Sequence, residues 1–390
     1  MIPYGKHHID EDDIQAVVDV LRSGVLTQGP AVEAFEQAVA EYVGAKYAVA
    51  VSSGTAALHL AALVAGVGLG TSLITSPITF VASANAALFA GGRVVFADID
   101  PDTVNMSPDA LKKALAANSD ACAVIPVHFA GLPCDMSAIK LVADQSGAVV
   151  IEDAAHALGA LYADGQRVGS CAYSLMTIFS FHPVKAIAAG EGGMITTNDE
   201  YTYRRLLRLR SHGINKLDDP FLLPEQAETD GVRDPWYYEM QELGFHYRIT
   251  DIQCGLALSQ FKKLDRFIAR RRELVNAYDK AFADMRNCRV AQIGDRGQSG
   301  HHLYVLRIDF KAAGLNRGQM MQELRTRQIG SQVHYIPVPA QPHYRRLGFR
   351  PEDYPNAQRY YQEALSIPLF YDLTDQEQEQ VITAIKELVD

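Results

Sequence analysis

Apolar residues along the chain fall into two alternating patterns. Short, nearly unbroken apolar runs at 47–51, 72–75, 93–97, 121–127, 148–151, 174–179 and 194–197 read as strands buried on both faces. Between them, apolar positions recur at helical spacing over 31–43, 56–65, 81–90, 111–117 and 136–145. Upstream, Asp10 can cap a helix starting at Glu11, with Ile14, Val17, Val18 and Leu21 along one face. The alternation predicts an α/β fold, with a large, mostly parallel sheet and helices on both of its faces. Periodicity lapses over 211–247, which carries Pro220, Pro224 and Pro235 and reads as a long loop serving as a lid, a subunit contact or both. Helices resume over 251–264 and 266–285. A strand at 302–309, a helix capped by Asn316, a strand at 331–335 and a terminal helix capped by Thr374 then predict a smaller C-terminal α/β lobe. We expect two domains, 1–255 and 256–390.

Composition narrows the function. The 390 residues are 48% hydrophobic and 21% charged, which suits a soluble globular protein with a sizeable core. A net charge of −10 argues against a nucleic-acid partner, which needs phosphate neutralisation. The most apolar stretch, 56–69, is broken by His59, Gly66 and Gly68 and is too short to span a bilayer. The first residues lack an apolar run, so no secretion signal is expected. Five scattered cysteines without a CxxC pair point to reduced thiols in a cytoplasmic protein, with no zinc site.

In such a sheet, ligands bind outside the carboxyl ends of the strands. Three features fall at such ends. Ser52-Ser53-Gly54-Thr55 joins a strand to a helix start and presents free N–H groups to an anion, although an ordinary capped helix has the same pattern. Pro77-Ile-Thr-Phe80 brings an aromatic ring, and Glu152-Asp153 a carboxylate. Downstream, Lys185 follows Phe179-Ser-Phe-His-Pro-Val and precedes Ala186-Ile187. A lysine among apolar neighbours either snorkels over them or loses its proton by desolvation and becomes a nucleophile. An activated lysine, a carboxylate, an anion turn and a flat ring are together what pyridoxal 5′-phosphate requires.

At these residues the sequence resembles the DegT/DnrJ/EryC1/StrS sugar aminotransferases, fold-type-I enzymes that depend on pyridoxal phosphate. The resemblance spans nearly the whole chain. It rests on Leu26-Thr-Gln-Gly29, Ser53-Gly-Thr55, Pro77-Ile-Thr-Phe-Val-Ala82, Glu152-Asp-Ala-Ala-His-Ala-Leu-Gly159, Phe179-Ser-Phe-His-Pro-Val-Lys185, Gly190-Glu-Gly-Gly193 and Val333-His-Tyr335. Within the family the chain is most similar to the pseudaminic-acid pathway group, transaminases that make UDP-4-amino-4,6-dideoxy-N-acetyl-β-L-altrosamine. The resemblance implies that Lys185 bonds the cofactor aldehyde and shuttles the proton, and that Asp153 pairs with the pyridinium. It implies that Gly54, Thr55 and Ser180 hold the phosphate and that Phe80 stacks on the ring. Tyr4, Leu26, Thr27, Gln28, Gly29 and Tyr335 would touch the nucleotide sugar. His246, standing where the family usually has Asn, would reach the phosphate across a homodimer with shared sites. L-glutamate is the implied amino donor, and a C3 or C4 keto sugar on dTDP or GDP is the alternative acceptor. Relatives that dehydrate sugars carry histidine at the lysine position, so Lys185 argues against them; a cofactor-binding regulator without activity is a further alternative. Pro339-Ala340 replaces the family's usual His-Leu pair after 333–338.

Overall fold

The computed structural model describes residues 1–216 and 219–389. After two N-terminal helices, α1 (Glu11–Arg22) and α2 (Pro30–Val43), strands and helices alternate. They run β1 (Tyr47–Val51), α3 (Gly54–Val64), β2 (Ser72–Thr75), α4 (Val81–Phe89), β3 (Arg93–Phe96), α5 (Pro108–Ala117), β4 (Ala121–Ile125), α6 (Met136–Ser146), β5 (Val149–Asp153), β6 (Met176–Ser180), β7 (Gly193–Thr197) and α7 (Glu200–Arg210). The seven strands form one sheet in the order β1-β7-β6-β5-β4-β2-β3. Only β7 runs against its neighbours; all the other pairings are parallel. The apolar runs form this sheet because both faces are covered: β2 is buried along its whole length, as are four of the five residues in β1 and β6.

Helices α3 and α4 show why one side of the sheet packs tightly. Their buried faces are mostly alanine (Ala56, Ala57, Ala61 and Ala62 against Ala82, Ala84, Ala86 and Ala87), so the helix axes approach closely. The few large residues between them, such as Leu58 and Leu60, each contribute about 1.5–3 kcal/mol by leaving water.

Helices α8 (Asp251–Phe261) and α9 (Leu264–Phe282) lead to a three-stranded antiparallel sheet of Cys288–Val290, Tyr304–Ile308 and Ala364–Ile367. A separate apolar core forms there, between this sheet, α9 and the terminal helix Asp375–Val389. Ile2 belongs to that core and bridges Ile329, so the first residues pack with the C-terminal sheet and place Tyr4 over the larger one's rim.

Several sequence expectations need correcting. In α1 the buried residue is Asp13, while Ile14 and Leu21 are about half exposed. Asp13 closes a capping box with Asp10 and accepts hydrogen bonds from Ser259 and Gln260 on α8, so α1 is fastened through its acid. No strand forms over 331–335. Gln332 bridges Ser366, but the Val333 N–H turns to the Gln332 side chain and the ladder stops. The 211–247 stretch is not structureless, since Ile214–Asn215 pairs with Glu239–Met240 and Glu228–Thr229 with Val232–Arg233. Leu217 and Asp218 in that stretch lie outside the described residues. No helix among the described residues is long and apolar enough to cross a membrane.

Candidate active site

A cavity of about 420 Å³ opens at the carboxyl edge of the large sheet. One side is the turn between β1 and α3. Ser53 caps α3 by accepting the Ala56 N–H, which leaves the Gly54 and Thr55 N–H groups without helical acceptors at the positive helix end. Two neighbours fix the turn. A Cβ on Gly54 would lie 2.9 Å from the Ser180 Cβ, so glycine lets the last residue of β6 come against the helix start. A Cβ on Gly193, the first residue of β7, would lie 2.4 Å from the Ser53 carbonyl oxygen. Gly54, Thr55 and Ser180 thus meet on one side of the cavity.

Asp153 ends β5 and is buried, 5% exposed. Its carboxylate accepts from the Ser83 hydroxyl at 2.6 Å and the Ala155 N–H at 3.1 Å. The adjacent Glu152 points the other way in the strand and takes four hydrogen bonds, from His128, Tyr162, Ser174 and Thr177. Because the His128 Nδ1 accepts the Cys134 N–H, the ring proton sits on Nε2 and goes to Glu152. This buried cluster anchors the strand that delivers Asp153.

Lys185 lines the same cavity. Burial lowers its pKa from 10.5 to about 8, against the opposing pull of the Asp153 charge. The loop carrying it is tied down by the Lys185 N–H to His182 and the Ala189 N–H to Phe181.

The opposite wall is aromatic. Tyr335 lies parallel to His156, with centroids 6.2 Å apart, and its hydroxyl is 3.1 Å from the His156 Nε2. The His156 Nδ1 accepts the Ala130 N–H, so Nε2 carries the proton and donates to Tyr335. Burial, then the Lys185 charge, hold His156 well below the usual imidazole range. Phe80 sits at the mouth, 59% exposed as a residue, and Tyr4 packs against His334.

Of the residues expected from the sequence, Lys185, Asp153, Gly54, Thr55, Phe80, Ser180, Tyr4 and Tyr335 share this cavity. Leu26, Thr27, Gln28 and Gly29 do not line it. Their turn is fastened to α8, where Thr27 bridges Thr250 and the Gly29 N–H bonds Asp251 at 2.8 Å. His246 is exposed beside His212, also outside the cavity of its own chain. Sequence reasoning missed Ser83, Thr79, His302 and His334. Ser83 had a signal, a lone hydroxyl in an otherwise apolar helix start.

The pattern of the DegT/DnrJ/EryC1/StrS aminotransferase family matches residues 7–386. The chain belongs to that family. It is 40% identical over 390 residues to the spore coat polysaccharide biosynthesis protein SpsC of Bacillus subtilis, covering 100% of this chain and 97% of the relative. Among solved structures, the putative sugar aminotransferase Spr1654 from Streptococcus pneumoniae in its PMP form superposes with a TM-score of 0.90 at 30% identity, covering 100% of this chain and 99% of that one. Helicobacter pylori PseC, an aminotransferase involved in pseudaminic acid biosynthesis, gives 0.88 at 29% identity, again over 100% and 99%. This member of the DegT/DnrJ/EryC1/StrS family is therefore a sugar aminotransferase of fold type I that uses pyridoxal phosphate.

The residues of this family member fit that cofactor. Free N–H groups and hydroxyls at the α3 start suit a phosphate, the buried carboxylate suits a pyridinium, and the lysine is already inclined to the neutral amine.

Proposed function

We propose that the protein moves an amino group from L-glutamate to C4 of a UDP-linked 4-keto-6-deoxy-N-acetylhexosamine. The observation that carries the transaminase chemistry is the desolvated Lys185 sharing one cavity with Asp153 and the α3 start. Bound pyridoxal phosphate supplies an aldehyde for the lysine and an electron sink for the carbanion left when the substrate Cα loses its proton. Lys185 would bond that aldehyde and, once displaced, carry the proton at Nζ. Asp153, held in place by Ser83 and Ala155, would keep the pyridinium charged. Gly54, Thr55 and Ser180 would hold the phosphate, Phe80 would cover the ring, and Tyr4 and Tyr335 would meet the sugar. His246 and the 26–29 turn, which do not line the cavity of their own chain, would complete the site of a second copy in a homodimer.

The likeness to PseC supports the UDP-sugar reading. The likeness to SpsC supports a second one, a keto sugar on another nucleotide destined for a surface polysaccharide. Mass spectrometry of products from UDP-, GDP- and dTDP-4-keto sugars separates the two. L-glutamate should bleach the visible absorbance of the cofactor-loaded protein. The Lys185→Ala variant should lose about 10²–10⁴-fold in turnover; full turnover by that variant would sink the assignment.

A further inference from the structure

His302 is given no part by the sequence motifs. It lies just before the strand Tyr304–Ile308 and reaches back into the cavity, where it is 5% exposed. Its ring packs on His156 at a centroid distance of 4.3 Å. The Ala130 backbone ties the two histidines together, its N–H going to the His156 ring and its carbonyl accepting the His302 backbone N–H. From behind, the buried Arg271 donates to the carbonyls of His302 and Leu369. Yet neither nitrogen of the His302 ring has a partner among the described residues. Nδ1 is sealed off, which leaves Nε2 as the nitrogen open to the cavity. The fold thus holds the ring in place and leaves at its cavity-facing nitrogen a hydrogen-bonding position that no described side chain uses.

The chemistry of the wall indicates the ligand. His156, His302 and His334 are all depressed by burial, with nearby Lys185 adding to it, so at neutral pH this wall carries no charge. The fixed charges lining the cavity are those of Lys185, Asp153 and Glu191, so a carboxylate on this wall would meet no cation of its own. A neutral imidazole with no protein partner can donate or accept, as a sugar hydroxyl can. We propose that His302 is a specificity-determining residue whose Nε2 hydrogen-bonds a hydroxyl or carbonyl oxygen of the keto sugar.

This rests on the sugar-aminotransferase reading, and the test keeps the two apart. The donor and sugar half-reactions are followed separately by cofactor absorbance, with L-glutamate and then with the keto sugar that the wild-type protein accepts. In His302→Asn, whose amide reaches only the Nδ1 position, kcat/KM of the sugar half-reaction should fall about tenfold more than that of the donor half-reaction. His302→Gln, which places an amide nitrogen near Nε2, should recover most of the loss. Equal losses in both half-reactions would make His302 merely structural, and a larger loss with glutamate would assign it to the donor carboxylate. Either result overturns the proposal. A wild-type protein that accepts no keto sugar defeats the functional reading instead, before any variant is made. If neither variant holds cofactor, wild-type protein labelled with ¹⁵N-histidine decides: the aminated sugar should convert an unbonded neutral imidazole nitrogen into a hydrogen-bonded one, and an unchanged spectrum overturns the proposal.

Discussion

Lys185 shows how much a single residue depends on its surroundings. Burial in the cavity wall desolvates it and brings its pKa down to about 8, while Asp153 limits the fall by favouring the cation. Only the neutral amine attacks an aldehyde. The sign follows: below about 8 the lysine holds its proton and capture of pyridoxal phosphate by cofactor-stripped protein slows, while above it capture levels off. Stopped-flow absorbance between about pH 6.5 and 9.5 should show this rise and plateau. A rate still climbing steeply at the top of that range would mean that Lys185 keeps an ordinary lysine pKa. The apolar flanks Val184, Ala186 and Ile187 were legible in the sequence as a sign of desolvation. The Ser83 hydroxyl on Asp153 and the open nitrogen of His302 were not, because each becomes meaningful only when residues 70 or more positions away arrive beside it.

At the scale of elements, the order of strands and helices was readable because each buried run carries its own signature. Helix caps were readable for the same reason: Asp10, Asn316 and Thr374 each accept from the N3 amide of their own helix. Pairing was not readable. Nothing local in 193–197 says that this strand inserts between β1 and β6 and runs against both. That insertion sets the anion turn, because Gly193 backs directly onto the Ser53 carbonyl and the Gly54 nitrogen. The contact is with backbone, which cannot rotate away as a side chain would. Gly193→Ala should therefore push the α3 start out of place. We expect a loss of about 1–3 kcal/mol in stability from overpacking, read by denaturant unfolding, together with weaker cofactor binding in an absorbance titration. Unchanged cofactor affinity would show that the turn does not hold the phosphate. The apolar face of α1 was read correctly as a stripe but not as exposed, since a helix pattern marks what is to be covered and not by which molecule.

The whole molecule leaves conspicuous surface uncovered. Ile14 and Leu21 on α1, Phe80 at the cavity mouth, and Trp236, Met240 and Leu243 in the 211–247 segment are all exposed. Scattered apolar residues need no explanation, but several large ones on two segments and at the cavity mouth suggest a partner surface. The charge pattern agrees. The cavity of one chain offers a phosphate helix N–H groups and hydroxyls but no arginine, while Arg248, next to His246, has a buried Nε without a partner. The Tyr247 carbonyl accepts the Ser52 N–H, so this segment is fastened beside the anion turn, yet none of residues 246–248 lines the cavity of its own chain. A two-fold dimer would let each copy's 246–248 segment serve the other's site. Subunit mixing tests this without presupposing a substrate contact. Lys185→Ala and Arg248→Ala proteins, each expected to lose most of its activity alone, are unfolded together and refolded; an Arg248→Ala protein with full activity overturns the role given to this arginine. If sites are shared, half of the dimers are hybrids, each with one intact and one doubly defective site, and activity should return to about a quarter of wild type. If every site is built from a single chain, each hybrid carries two singly defective sites and the mixture stays inactive.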